Sequence, residues 1–317
     1  MAASINEVRN TVLAIANKNN YGYITPQDFN LYAKQAQLDM FEDYFYSYNN
    51  WIQRQNGRSS GTGYADITKG LVEVMDSFSN TVFLPQVNAN VYSLPLDYYL
   101  INKIFYYSTP LFTGTATATV ANQLVDGAAV GWTTIPTSSP TPAIGSIVVN
   151  TTTFQQAYVT GVVNTTTITL SADIFTVIGN SYVIYSNTKI REVERVSQNK
   201  IFYLTNSMLT APNQTYPAYT LENNNITVYP TTILQPGAIQ TQYIRYPLAP
   251  RWTFLNIGLG EPQFDPTQPD FQEFELPDSD EPTLIAKICQ YVGIEIREAE
   301  VYNFGKQEEA NEIQESS

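Results

Sequence analysis

Carboxylates are the side chains in this sequence best suited to chemistry. The chain contains no histidine, which excludes Ser-His-Asp triads, Cys-His dyads and the usual zinc sites. Two carboxyl groups alone can hydrolyse a glycosidic bond when one is protonated and the other is held at a fixed distance from it. The densest acidic stretch follows Trp252 and contains eight carboxylates, namely Glu261, Asp265, Asp270, Glu273, Glu275, Asp278, Asp280 and Glu281.

This acidic stretch is better explained as a charged surface than as a glycosidase site. It contains no Lys or Arg, and prolines stand at positions 262, 266, 269 and 277. Such a composition predicts an extended loop with no core of its own. Nothing in the sequence would then raise the pKa of one carboxyl group or fix its distance from another, so we expect a solvated or lumen-facing acidic surface.

Two weaker chemical signals have simpler explanations. Asp278 and Asp280 have the spacing of the first two ligands of a calcium loop, but the required glycine and closing glutamate are lacking. Cys289 falls on the apolar face of a predicted helix, which is typical of a buried hydrophobic residue rather than a nucleophile. The sequence therefore predicts no catalytic residue, no metal site and no cofactor, and the chain is not expected to be an enzyme.

Helices are predicted towards both ends of the chain. Ser4 and Glu7 have the spacing of a capping box, and apolar residues at helical spacing follow to about Asn19. Thr25 and Pro26 are typical of the start of a second helix, a flexible loop is expected over 54–63, and a short helix over about 65–78. The apolar stripe of the second helix comprises Phe29, Ala33, Ala36, Met40, Phe41, Tyr44, Phe45 and Tyr48. A last helix is expected from Asp280-Glu281-Pro282, with Leu284, Ile285, Ile288, Cys289, Val292 and Ile296 on one face.

The middle of the chain has the composition of a separate β domain. No Lys or Arg occurs between Lys103 and Lys189, threonine runs are frequent, and short strands are predicted over 145–149, 157–160, 167–170 and 182–185. We expect an α+β fold in which helical N- and C-terminal elements pack with a small antiparallel sheet, plus an inserted all-β barrel or sandwich. The predicted division is a first part of the core over 1–110, the insert over 111–188 and a second part of the core over 189–317.

A proline-rich arm follows a predicted β-hairpin. Strands are expected over 226–229 and 238–246, with a chain reversal at Gln235-Pro236-Gly237. Pro247 removes a ladder donor and ends the second strand. The arm that follows is a stiff segment with residue types favoured at interface hot spots, and its candidate inter-subunit contacts are Tyr246, Pro247, Pro250, Arg251 and Trp252. Arg251 is the last cation before the eight carboxylates and has two candidate partners, the acidic loop of its own chain and that of a neighbour.

The overall charge and composition restrict the possible partners. The formal net charge is −13, with 16 Lys and Arg against 29 Asp and Glu, and such a field repels nucleic acid. Only 14% of the residues are charged, whereas 23 are tyrosines, a residue favoured on half-dry surfaces such as protein interfaces. The single Cys289, the lack of a membrane-spanning apolar stretch and the lack of an export signal favour a protein made in a reducing cytoplasm.

The order of these elements resembles the head-to-tail connector proteins of tailed bacteriophages, the adaptor or tail-tubular rings below the portal. It looks most like the neck ring proteins of crAss-like phages. Three segments carry the resemblance: YGYITPQDFNLYAKQAQLDMFEDYF over 21–45, LPLDYYLINKIFYYS over 94–108, and ITVYPTT with YIRYP over 226–232 and 243–247. The resemblance covers about 5–108 and 189–304, and the insert over 111–187 departs from the plain connector pattern.

The resemblance implies a structural virion protein with no enzymatic activity. Its expected form is a ring of twelve copies in the phage neck that joins the portal to the tail, contacts the portal and neighbouring ring proteins, and lets the genomic DNA pass without sequence-specific binding. Such a protein is assembled in the host cytoplasm, belongs to the virion and spans no membrane. Which ring of the neck it forms, and whether the acidic loop over 259–281 faces the DNA channel or a partner, stay open.

A second hypothesis assigns a binding function to the insert. Trp132, Tyr158, Tyr182 and Tyr185 have side chains that can stack on sugars, so the alternative is a carbohydrate- or receptor-binding virion protein that acts through the inserted β domain. The simpler interpretation places these four aromatic residues in the core or an interface of the insert.

Overall fold

A computed structural model describes residues 3–16, 24–57, 67–128, 132, 142–187, 189–255, 262–295, 303 and 306–307. The chain divides into two compact units. We call the first, Met1–Phe78 with Tyr246–Ser317, the helical unit, and the second, Ser79–Arg245, the β unit.

The described residues form five α-helices, four of them in the helical unit. Their bounds are α1 Ile5–Ala16, α2 Pro26–Gly57, α3 Ile67–Ser77, α4 Gln198–Asn206 and α5 Glu281–Glu295. α1 and α2 pack against α5, and α2 also contacts α3. The prediction of an α+β fold with packed N- and C-terminal helices and antiparallel sheets is confirmed.

The start and the core of α2 follow from its sequence. The backbone N–H of Asp28 donates to Thr25 Oγ1 at 3.2 Å, which satisfies one of the otherwise unpaired donors of the first turn. Five residues of the predicted stripe are buried, namely Phe29, Ala33, Ala36, Met40 and Phe41. Phe41 makes an edge contact with Phe78 at 5.1 Å between ring centroids.

Polar contacts fix α2 against α5 in addition to this apolar packing. The Lys287 ammonium lies 3.0 Å from an Asp43 carboxylate oxygen, and the Tyr291 hydroxyl donates to Asp39. The rings of Tyr32 and Tyr291 stack at 6.1 Å. Leu284, Ile288, Cys289 and Val292 of α5 are buried as their spacing predicts.

Strands form the β unit, apart from one short pair in the helical unit. In chain order they are β1 Ser79–Phe83, β2 Gln86–Asn88, β3 Val91–Ser93, β4 Tyr98–Tyr107, β5 Pro110–Thr115, β6 Ala118–Val120, β7 Gln123–Val125, β8 Ile147–Asn150, β9 Gln156–Asn164, β10 Thr167–Leu170, β11 Ser181–Tyr185, β12 Ile190–Glu192, β13 Glu194–Arg195, β14 Ala218–Glu222, β15 Asn225–Tyr229, β16 Ile239–Arg245, β17 Phe254–Leu255 and β18 Gln263–Phe264.

Two sheets are built from strands on either side of the Thr-rich segment. One has the order β1-β16-β4-β12 and the other β13-β14-β15-β3-β2. All their pairings are antiparallel except β13 with β14. One continuous core contains buried residues of both sheets, including Phe83, Tyr92, Ile104, Ile226 and Ile239.

The Thr-rich segment forms a sheet of its own. Its seven strands have the order β5-β11-β8-β9-β10-β7-β6 and span residues 110–185. A second core cluster belongs to this sheet and contains Leu124, Trp132, Ile168, Phe175 and Tyr182. β4 precedes the Thr-rich segment and pairs with β12 and β16, which both follow it. The domain boundaries expected at 110 and 188 stay a prediction.

The predicted hairpin is wrong in its pairing. β15 and β16 lie where strands are expected, and the chain turns at Pro236-Gly237, where Gly237 has a φ of 70°. The two strands nevertheless lie in different sheets, because β15 pairs with β14 and β3 whereas β16 pairs with β1 and β4. The connection over 230–238 is also longer than the two to five residues typical of a hairpin loop.

Other parts of the sequence interpretation need correction or fall outside the described residues. α2 continues to Gly57, so 54–57 are helical, and the rest of the predicted loop lies outside the described residues, as do Asn19, Glu261 and Ile296. The sequence reading missed α4 altogether. The acidic stretch is not a loop without a core, because Phe274 and Leu276 within it are each only 1% exposed.

Candidate functional site

Trp252, a predicted inter-subunit contact, is buried in the helical unit of its own chain. Its side chain is 2% exposed. The indole N–H donates to Asn6 Oδ1 at 3.1 Å, which joins the arm to α1. Asn30 of α2 binds the backbone on both sides of the residue: the Trp252 N–H donates to Asn30 Oδ1 at 2.8 Å, and Asn30 Nδ2 donates to the Trp252 carbonyl at 3.1 Å.

Aromatic rings and one guanidinium group surround Trp252. The Arg9 guanidinium carbon lies 3.9 Å from the centre of the Trp252 ring, in the geometry of a cation–π contact. Phe254 and Phe264 stack near Trp252 at 5.7 and 5.8 Å between ring centroids, and Phe271 packs edge-on against Phe264. We call Arg9, Trp252, Phe254, Phe264 and Phe271 the arm cluster.

Arg251 pairs with the acidic stretch of its own chain. Its guanidinium nitrogen lies 2.9 Å from an Asp270 carboxylate oxygen, with the two side chains 60% and 45% exposed. The backbones of Arg251 and Gln272 also exchange two hydrogen bonds, of 2.8 and 3.2 Å. Within the single chain Arg251 therefore binds its own acidic stretch, and a pairing with the acidic stretch of a neighbour stays a prediction.

The rest of the arm is held along α2. Gln37 donates its side-chain amide to the Leu248 carbonyl at 2.7 Å and accepts from the Glu275 N–H at 3.1 Å. The Leu248 N–H donates to Glu275 Oε2 at 2.7 Å. Pro247 and Pro250 are buried, and Tyr246 is 40% exposed with its ring 6.0 Å from that of Phe41.

The five predicted site residues thus lie along the same arm but have different surroundings. Pro247, Pro250 and Trp252 pack inside the helical unit, whereas Tyr246 and Arg251 keep exposed surface. Their role between subunits stays a prediction. Of the five predicted contacts, Tyr246 and Arg251 are those that a neighbour could reach, and Leu248 of the same arm is also exposed.

Several carboxylates of the acidic stretch accept hydrogen bonds from other parts of the helical unit. Glu273 accepts from the Ile5 N–H at the start of α1, at 2.6 Å. Asp280 accepts from the Tyr44 hydroxyl.

Hydrogen bonds from Thr267 and Gln268 hold the pKa of Asp265 below its usual value. Burial, followed by the nearby charges of Glu7 and Asp278, raises the pKa of Glu281. Negative charge therefore concentrates where α1 and α5 begin.

The described residues offer neither a cluster for a metal ion nor an accessible thiol. They contain no group of three or more Cys, Asp or Glu side chains placed to hold a metal ion. Cys289 is fully buried, as predicted, and burial raises the pKa of its thiol to about 12. A thiol in this environment stays protonated near neutral pH and is a poor nucleophile.

The aromatic residues proposed for sugar stacking are mostly inaccessible. Trp132, Tyr182 and Tyr185 are at most 2% exposed, and only Tyr158 is half-exposed. The Tyr182 hydroxyl donates to Asp126 Oδ2 at 2.8 Å, and burial together with that hydrogen bond raises the pKa of Tyr182. These three side chains belong to the core of the β unit, which agrees with the simpler interpretation of the sequence.

The net charge is divided unequally between the two units. The β unit contains six acidic and six basic residues and is formally neutral, so the entire net charge of −13 belongs to the helical unit. Four of the six cations of the β unit fall within twelve consecutive residues, namely Lys189, Arg191, Arg195 and Lys200. All four are exposed.

An exposed apolar surface on the β unit was missed by the sequence reading. Phe202 and Tyr203 in the middle of α4 are 72% and 78% exposed, and Met208 and Leu209 in the following turn are 104% and 94% exposed. Together with Lys200, these residues are called the α4 surface. Its sequence signal was the run of apolar residues after Ser197, which occupies the N-cap position of α4.

Comparison with known protein families finds none that matches this chain, and comparison with curated proteins finds no match either. Among the described residues, no helix combines the length and the apolar character needed to cross a membrane.

Proposed function

We propose that this chain is a structural subunit of an oligomeric ring in the neck of a tailed bacteriophage. The ring, of twelve copies, joins the portal to the tail and lines the passage for the genome. Its partners are further copies of itself, the portal protein and the neighbouring neck or tail ring proteins. It belongs to the virion and is assembled in the host cytoplasm.

The observation that carries this proposal is the division of surface chemistry between the two units. A closed ring uses a heterologous contact, in which each subunit presents two different faces to its two neighbours. This chain has an acidic helical unit and a neutral β unit with exposed cations and apolar side chains. Two such unlike surfaces on one chain suit a head-to-tail contact.

The excess of negative charge also supports a DNA passage without DNA binding. Affinity for duplex DNA depends mainly on cations that neutralise phosphates, and the helical unit has 10 cations against 23 carboxylates. An acidic lumen would keep a moving genome from adhering to the wall. The order of the sequence motifs, from the first helices to the last, gives independent support.

The alternative of glycan or receptor binding through the Thr-rich segment has weaker support. Stacking on a sugar ring requires an accessible aromatic face, and three of the four candidate side chains are buried. Glycan-array binding by the full-length chain, lost on Tyr158→Ala, would favour this alternative over the ring.

The experiment that tests the ring is a native mass measurement of the purified 35.5 kDa chain, alone and mixed with the cognate portal. We expect a closed oligomer of twelve chains, either free or formed on the portal. A chain that stays monomeric under both conditions would contradict the proposal, and a stable trimer would point to a fibre or spike instead.

A further inference from the structure

The α4 surface exposes an unusual amount of apolar area for a monomeric protein. Phe202, Tyr203, Met208 and Leu209 occur within eight consecutive residues, and each is more than 70% exposed. A fully buried aromatic side chain covers about 150–250 Å², so Phe202 and Tyr203 alone can supply roughly 300 Å² of contact area, to which Met208 and Leu209 add. A standard interface buries about 800 Å² per partner. The α4 surface can therefore supply a large part of the area that a specific contact needs.

The α4 surface has a defined structure rather than being a loose loop. Ile201 of α4 is buried, and α4 contacts β14. After the helix, the Ser207 N–H donates to the Leu204 carbonyl at 3.3 Å and the Ala211 N–H to the Ser207 carbonyl at 2.9 Å. Exposed apolar residues on a defined backbone lose little conformational freedom on docking.

The segment of the β unit that contains α4 is rich in cations. Residues 189–209 contain four cations and two carboxylates, a net charge of +2 on a chain of net charge −13. Glu192 is already paired with Lys103 at 3.3 Å. Lys200 belongs to the α4 surface itself and is exposed, so a partner for this surface is expected to present acidic as well as apolar groups.

We propose that the α4 surface docks against the acidic helical unit of a second copy of this chain and forms the head-to-tail contact of the ring. This inference rests on the ring function proposed above. The complementary charge is present on the chain itself, because the helical unit carries all of the net −13. Every copy then supplies one surface of each kind, and ring closure leaves none unmatched.

The same charges disfavour a symmetric dimer through this surface. In a two-fold contact the same patch meets itself, so Lys200 on the α4 surface would lie across from the same cation of the other copy. Like charges across an interface reduce affinity and select against the wrong partner. A head-to-tail arrangement brings the cations to carboxylates instead.

The first test replaces the apolar part of the surface in the full-length chain. Phe202→Asp combined with Leu209→Asp places two carboxylates where the contact is expected, and we expect at least tenfold weaker association, measured by native mass and sedimentation over a concentration series. The matched control is Leu96→Asp with Ile178→Asp, two other exposed apolar residues of the β unit. The control is expected to assemble like the wild-type chain, and circular dichroism checks that both variants fold.

The second test asks whether the neighbour's helical unit is the partner. Glu42→Lys with Asp278→Lys, both at exposed positions of the helical unit, should also block ring formation. Mixing this variant with the Phe202→Asp, Leu209→Asp variant restores one intact contact between the two chains. We expect the mixture to form a two-chain complex and no ring, with an affinity that decreases as the salt concentration rises.

The possible outcomes separate this inference from the ring function. If wild-type rings form and the α4 variant assembles equally well, the proposed contact is wrong and the ring function stands. If the α4 variant forms normal rings but no longer binds the portal, the surface serves another protein and the inference is overturned. A mixture that yields no two-chain complex contradicts the helical unit as the partner face, whereas a wild-type chain that never forms a ring contradicts both proposals.

Discussion

The guanidinium carbon of Arg9 lies 3.9 Å from the centre of the Trp252 ring. This contact joins the first helix to the proline-rich arm, although 242 positions separate the two residues in the sequence. The indole N–H reinforces the connection by donating to Asn6 Oδ1 at 3.1 Å. Trp252 therefore has a structural role within the chain, which any experiment on the arm has to take into account.

Replacing Trp252 by alanine is expected to destabilise the helical unit. A buried Trp→Ala substitution leaves a cavity and costs about 3–5 kcal/mol, and here the ring also packs with Phe254, Phe264 and Arg9. Urea unfolding of the variant measures the loss. Leu255→Ala, at a neighbouring residue that is 49% exposed, is the control and should change the free energy of unfolding by less than about 1 kcal/mol. An unchanged unfolding midpoint for Trp252→Ala would contradict the structural role.

Replacing Arg251 by alanine separates the interface role of the arm from its structural role. The Arg251–Asp270 pair is exposed on both sides, and such surface pairs contribute about 0–1 kcal/mol. We expect Arg251→Ala to leave thermal unfolding nearly unchanged, so a loss of ring assembly or particle yield would be attributable to a contact between subunits. Wild-type assembly by this variant would instead remove Arg251 from the predicted inter-subunit contacts.

Tyr182 is expected to stabilise the β unit through Asp126. The Tyr182 hydroxyl donates to Asp126 Oδ2 at 2.8 Å, and the Asp126 side chain is only 3% exposed. Tyr182→Phe keeps the ring but leaves a buried carboxylate oxygen without this donor, which costs about 1–3 kcal/mol. Chemical denaturation of the purified chain measures the difference. Tyr158→Phe, at a half-exposed tyrosine of the same sheet, is the control with no expected effect, and equal stability of the two variants would refute the assignment.

Ionisation of Cys289 is expected to lower the stability of the helical unit at alkaline pH. Burial raises the pKa of its thiol from an ordinary 9.0 to about 12, so the unfolded chain releases this proton at lower pH than the folded chain. The stabilising contribution is complete below about pH 9 and is lost as the pH rises towards about 12.

The measurement compares wild-type and Cys289→Ala chains by denaturant unfolding at several pH values from 8 to 11. Tyr and Lys residues titrate in both chains, so the thiol contributes only the difference between them. We expect the stability of the wild-type chain to fall more steeply than that of the variant above pH 9. Parallel pH profiles would show that the thiol is not protected by burial.

Four of the five helices among the described residues were predictable because their signals are local, whereas α4 was missed. Thr25 with Pro26 marks the start of α2, and the apolar residues of α5 recur at the spacing that one buried face requires. Several strands were also predicted, although others such as β5 and β14 were not, and the predicted pairing was wrong: β15 and β16 are neighbours in sequence but lie in different sheets. Alternation of side chains identifies a strand, whereas its partner depends on which other edges are available in the folded protein.

The candidate surfaces show the same difference between local and long-range information. Composition identified the acidic stretch and the arm, but it could not indicate that Phe274 and Leu276 are buried between carboxylates. For Arg251 the sequence offered two candidate partners, and the structure shows which carboxylate of its own chain it reaches, Asp270. The α4 surface was missed because Phe202 and Tyr203 have residue types typical of a core, and only the structure reveals that they are exposed.

The helical unit is built from two segments that are far apart in the sequence, and this determines the order in which the chain can fold during synthesis. The backbone N–H of Ile5 donates to Glu273, which the ribosome adds 268 residues later, and Trp252 reaches Asn6 and Arg9 across a similar separation. The β unit is continuous in sequence and can therefore complete its contacts while the first helix still lacks its partners. A chain interrupted before residue 246 would carry the α4 surface without the arm or α5, and so without the complete face that a neighbouring copy is expected to bind.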